Sequence, residues 1–114
     1  MSKTNIVVNT DGKIVNMAVA GQMTMEDSKK FVDDYHNKIS PLNGAEYDLI
    51  VDCTDMRVLT KDMTDNLVEV MKMYKETGFK HITYTVSDNI TLKMQLSRLT
   101  GNAGLKDITK VETI

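Results

Sequence analysis

Along the second half of the chain the spacing of apolar residues switches repeatedly between two periods, and that switching restricts the fold more than anything else in the sequence. Leu49-Ile50-Val51 is apolar on successive residues, as in an interior strand packed on both sides. Met63, Leu67, Val70, Met71 and Tyr74 then fall at i, i+4, i+7, i+8 and i+11, one face of a helix that Gly78 closes. Residues 80–87 alternate, with Ile82, Tyr84 and Val86 facing a core and Thr83 and Thr85 facing away. Leu92, Leu96 and Leu99 return to helical spacing, capped by Asp88 or Asn89 and stopped by Gly101-Asn102. Ile108, Val111 and Ile114 supply a last short strand. Strands that alternate with helices form crossover units and a parallel sheet.

The first half opens differently. Residues 5–10 are a short β-branched run, and Asp11-Gly12 after it predicts a two-residue type I′ hairpin turn. Val15, Met17 and Val19 then alternate with Ile14, Asn16 and Ala18. Thr24, followed by Glu26 and Asp27, reads as a helix start, and Phe31, Val32, Tyr35 and Ile39 lie on one helical face. Ser40-Pro41 ends that helix. The predicted order is β-β-α-β-α-β-α-β, an α/β fold in one domain over residues 1–114. An N-terminal hairpin leads into parallel strands, with helices mainly on one face of a mixed sheet. The opposite sheet face, carrying Asn16, Ala18, Thr83 and Thr85, is expected to be polar.

Composition removes several function classes. Fourteen basic against 16 acidic residues give a net charge of −2, which argues against a nucleic-acid or acidic-membrane binder. Nothing approaches the length of a membrane span, and the start, Met-Ser-Lys-Thr-Asn, has no apolar stretch behind its lysine, which argues against a signal peptide. One cysteine allows no internal disulfide, so a cytoplasmic setting is expected. Nine methionines beside two phenylalanines and no tryptophan is an unusual balance. Met17, Met63, Met71, Met73 and Met94 sit where periodicity predicts packing.

The chain resembles the STAS domain, the sulfate transporter and anti-sigma factor antagonist fold. The resemblance rests on element order and on "VAGQMTMEDSKKF", "DLIVDCTDM" and "HITYTVSDNITLKMQLSRL". It is nearest in look to small uncharacterised bacterial STAS-like proteins, which in turn resemble CRAL-TRIO lipid-binding folds. In regulatory members a partner kinase phosphorylates a Ser or Thr at the start of the helix after the third strand. Laid on that pattern, Thr60 stands at the preceding aspartate, Lys61 at the phosphoacceptor, and Asp62-Met63 where small residues and glycine belong. The resemblance therefore implies a regulatory or protein-interaction module without the usual switch, with Thr60 as the one displaced phosphorylation candidate.

No catalytic set emerges, so the expectation is a non-enzymatic protein. Asp48, Asp52 and Asp55 show no third ligand for a cation, His36 and His81 lack metal-ligand spacing, and Cys53 ends a buried strand. No cofactor or metal is implied. Thr60 is expected to cap its helix, with Asp62 complementing the dipole. The loops after the third and fourth strands share one end of the sheet, where open α/β sheets bind ligands. Candidate partner-binding residues are Thr54, Arg57, Thr60, Lys61 and Asp62; candidate ligand-binding residues are Ser87, Asn89 and Lys93. The expected partner is a protein, with a homodimer through an exposed edge strand as a further possibility. The alternative is a binding module for a small apolar or lipid ligand.

Overall fold

The computed structural model describes residues 4–114. Its elements are β1 (Thr4–Asn9), β2 (Ile14–Val19), α1 (Met25–Ile39), β3 (Asp48–Asp52), α2 (Lys61–Thr77), β4 (Ile82–Val86), α3 (Ile90–Asn102) and β5 (Thr109–Thr113). Short 3₁₀ turns precede β3 and β5. The element order and the mixed sheet are those expected from periodicity.

The sheet runs β1-β2-β3-β4-β5, in chain order. β1 pairs antiparallel with β2, and every later pair is parallel. Three right-handed crossovers between successive neighbours all step the same way across the sheet, which lays all three helices on one face. Burial follows that rule. Ile6, Val15, Met17, Leu49, Val51, Ile82, Tyr84 and Val86 are buried beneath the helices. On the reverse face Asn5, Val7, Asn16, Ala18, Asp52, Lys110 and Glu112 are exposed, while Ile50, Thr83 and Thr85 are half-buried. The polar second face is as expected. The reading of β3 as packed on both sides is not: Ile50 lies on the bare face between Asn16 and Thr83. A linear strand order has no point where the winding reverses, so the crevice that doubly wound sheets use for ligands does not arise here.

Local chemistry explains the element ends. Thr24 and Asp27 form a reciprocal capping box on α1, Asp27 N–H donating to Thr24 Oγ1 (3.2 Å) and Thr24 N–H to Asp27 Oδ2 (3.0 Å). Gly78, at φ 81°, ends α2 in the left-handed conformation that suits glycine. The hairpin differs from expectation. Four residues, 10–13, join Asn9 to its partner Ile14, and the positive φ falls on Lys13 (55°). Asn9 Oδ1 accepts the Gly12 N–H at 2.9 Å, which curls the turn early and delays the left-handed residue by one position. Lys13 is held there by Glu46 at 3.4 Å and by the Tyr47 ring, 5.3 Å from its ammonium.

Three further expectations need correcting. α3 runs on through Gly101 and Asn102 to a cap at Ala103. Ile108 belongs to the 3₁₀ turn and Ile114 is 79% exposed, so β5 is an edge strand with little apolar face. Met94 is 67% exposed on the solvent side of α3, whereas Met17, Met63 and Met71 are buried and Met73 packs partly against the core. Met23 and Met56, in loops, join the core instead.

Candidate functional site

The loop after β3 is tightly braced. Asp52 Oδ1 accepts both the Thr54 N–H (3.0 Å) and the Thr54 hydroxyl (2.6 Å), closing a local turn. Those two bonds, the hydroxyl first, hold the Asp52 carboxyl below the usual carboxylate range. Gly21 N–H donates to Asp55 O (2.9 Å) and Arg57 N–H returns to Gly21 O (3.1 Å). The Gln22 side-chain amide donates to Val58 O at 3.1 Å. Gln95 on α3 grips Leu59 from both sides, accepting its N–H (2.9 Å) and donating to its carbonyl (3.0 Å). Met56 and Leu59 plug inward, and Arg57 and Val58 remain outside.

The residues singled out from sequence fall in two groups. Thr54 is half-buried against Asp52; Arg57, Thr60, Lys61 and Asp62 are exposed together along the loop and the first turn of α2. Thr60 occupies the N-cap position of α2, yet its side chain makes no capping hydrogen bond, contrary to expectation. Thr64 turns its own hydroxyl to Lys61 O at 2.6 Å, and Asp62 is the acidic residue of the first turn. Ser87, Asn89 and Lys93 build the entry to α3. Asn89 Oδ1 caps the helix through Leu92 N–H (3.0 Å), its own N–H donates to Ser87 O (2.7 Å), and Lys93 N–H closes onto Asn89 O (3.1 Å).

Sequence reasoning missed four exposed apolar side chains at this end. Met25 opens α1, Val58 precedes α2, and Ile90 and Met94 lie one turn apart at the start of α3, at 57%, 40%, 71% and 67% exposure. Gln22 and Gln95 tie the Val58 stretch to the segment before α1 on one side and to α3 on the other. The signal was legible: Ile90 and Met94 are out of phase with Leu92, Leu96 and Leu99, which marks a second apolar stripe on one helix.

Beneath the loop a cavity of about 50 Å³ lies between the sheet and the helices. Val51 and Cys53 of β3, Tyr84 of β4, Tyr74 of α2 and Leu96 of α3 are among its walls, with Met23, Met56, Leu59 and Met63 along the loop side. Ser28 of α1 and Asn66 of α2 also line it and are joined by a 2.5 Å hydrogen bond that ties the two helices. None of the described residues that line it is charged. Burial pushes the Cys53 thiol up to about 12, which leaves it a protonated, unreactive wall group. The Tyr84 hydroxyl is buried and has no hydrogen-bond partner among the described residues.

The acidic residues do not converge. Asp48 and Asp52 occupy opposite ends of β3, and Asp48 lies 3.4 Å from His81 Nδ1. Among the described residues no group of three or more His, Cys, Asp or Glu is placed to hold a metal ion, and no helix is long and apolar enough to cross a membrane.

No protein-family model matches the chain, and no curated protein does. Among solved structures, the chain is similar to an uncharacterized protein from the DUF3478 family with a SpoIIAA-like fold from Shewanella loihica PV-4. The two share 13% identity, with a TM-score of 0.66 over 97% of this chain and 83% of the other. That likeness agrees with the linear mixed sheet and its three helices on one side: the chain has the SpoIIAA-like fold of STAS domains.

Proposed function

We propose that this chain is a non-enzymatic STAS-type regulatory module that binds a protein partner at the helix-entry end of the sheet. The observation that carries the reading is the exposure of Met25, Ile90 and Met94 at the starts of α1 and α3 and of Val58 on the loop between them, whose backbone is braced on both sides. Apolar groups flanked by Arg57 and Lys61 resemble the mixed core and rim of protein interfaces. A braced loop loses little conformational freedom on docking. Lys61 stands at the acceptor position of regulatory relatives, so the module works without a phosphate switch there. Asp52 is already engaged by Thr54, which favours a binding role over acid–base chemistry at this loop.

Affinity capture from the source cell tests this. The wild-type chain is expected to retain a partner that Val58→Asp with Met94→Asp releases, while Val7→Asp on the bare sheet face keeps it. Arg57→Ala and Lys61→Ala should weaken capture a few-fold. Indifference to the Val58 and Met94 substitutions sinks the proposal. A second reading, a binding module for a small apolar ligand, is favoured by the cavity beneath the same loop. Native mass spectrometry of the purified chain distinguishes it: a co-purified small molecule supports that reading and a clean mass counts against it.

A further inference from the structure

We infer that β5 pairs antiparallel with β5 of a second copy of this chain, joining two sheets edge to edge about a twofold axis. The interface is separate from the residues of the binding reading above. β5 is one of the two edges of the sheet. One hydrogen bond fixes which of its backbone groups face outward. Ile114 N–H donates to Val86 O at 2.9 Å, so position 114 turns its backbone toward β4. In a parallel ladder alternate residues turn both N–H and C=O to the same neighbour. Lys110 and Glu112 therefore face β4, and Thr109, Val111 and Thr113 present their N–H and C=O groups at the free edge.

The strand reads Thr-Lys-Val-Glu-Thr, and its charge reverses sign about Val111. With the twofold axis at Val111, that residue pairs with its own copy and Thr109 with Thr113 of the second copy. These are the hydrogen-bonded positions, and every one of them uses outward-facing backbone. Lys110 then stands opposite Glu112 of the second copy, twice over, at the closer sites where Cα atoms approach to about 4.5 Å. The neighbouring arrangements that still match outward-facing backbone put the axis at Lys110 or at Glu112. Each sets like charges directly opposite one another, which destabilises the pair.

Lys110 and Glu112 project from the bare sheet face, 73% and 45% exposed, and already lie 3.0 Å apart within the chain. Across the seam they complete a ring of four alternating charges. Charged residues on an edge strand ordinarily oppose strand addition. Here the reversal of sign about Val111 admits one self-pairing and penalises its neighbours. Val111, packed against the core on the helix side, meets its copy there, so the core continues across the seam. The axis stands perpendicular to the sheet, and the helices of both copies stay on one face.

Sedimentation equilibrium of the full chain, at concentrations up to about 1 mM, tests the pairing. The wild type is expected to dimerise, with hydrogen exchange at the Thr109, Val111 and Thr113 amides slowing as concentration rises. Lys110→Glu and Glu112→Lys each oppose like charges and are expected to weaken the dimer about 10-fold or more. Mixed in equal amounts, the two variants should pair with each other, acidic edge on basic edge, which also shows that both are folded. The double swap, Lys110→Glu with Glu112→Lys, should restore self-pairing. A wild type that stays monomeric throughout this range overturns the inference. A dimer that both single variants retain, or folded variants that stay apart when mixed, overturns it equally. Should a single variant unfold, the wild-type exchange pattern decides: slowing at those three amides supports the pairing, and slowing elsewhere overturns it.

Discussion

Gly44 has no room for a methyl group. A Cβ built there would lie 2.3 Å from Thr77 O and 2.4 Å from Thr77 Cγ2, so the turn before β3 touches the end of α2 backbone to backbone. Gly44→Ala is expected to cost about 1–3 kcal/mol by overpacking, measured by denaturant unfolding. An unchanged midpoint would show that the turn can move away. Single residues were also where sequence reading was least reliable. Thr60 and Asn89 both precede helices and both belong to the capping set, yet only Asn89 aims its side chain at a helix N–H. Met71 and Met94 were both expected to pack, yet Met94 is out of phase with the leucine face of its helix, and one packs while the other faces solvent. An unbranched thioether suits either place, so its chemistry does not decide between them.

Elements were far more legible, because periodicity is written locally. All five strands, three helices and the polar sheet face follow from spacings within about ten residues. What braces the functional loop does not: Gln22 and Gln95 each reach 36 positions to hold Val58 and Leu59, a separation no local pattern encodes. Gln95→Ala removes both bonds to Leu59. We expect faster hydrogen exchange at the Leu59 amide, by tenfold or more, with the amides of β3 unaffected. Unchanged exchange at Leu59 would place the rigidity elsewhere. The free edge of β1 carries its own safeguard. Lys38 of α1 donates to Ile6 O at 2.7 Å, occupying a backbone acceptor on β1, one of the two edge strands. A charged plug of this kind opposes the edge-to-edge dimer that the opening hairpin suggested.

At the scale of the whole molecule, burial of weak acids sets a limit on the alkaline side. Burial raises the Tyr35 hydroxyl to about 12 and the Cys53 thiol to about 12, and raises Tyr74 and Tyr84 well above the ordinary tyrosine value. Unfolded, these groups ionise near their ordinary values of 10.0 and 9.0. Each folded value lies above its unfolded one, so their contribution is complete below about pH 9 and is lost as pH rises through the tyrosine range. Tyrosinate absorbance and loss of helical circular dichroism are expected to rise together in a single cooperative step above pH 9. Ionisation of all the tyrosines with the helices intact would show that burial does not hold these protons.

The linear strand order bears on how the chain is made. Each strand pairs with the one that follows it in sequence, so no segment waits for a distant partner. During synthesis the hairpin can form first, and every new strand then adds to a finished edge while its preceding helix covers the growing core. The edge exposed at each stage is the one the next thirty or so residues will occupy. Lys38 has by then already closed the other side.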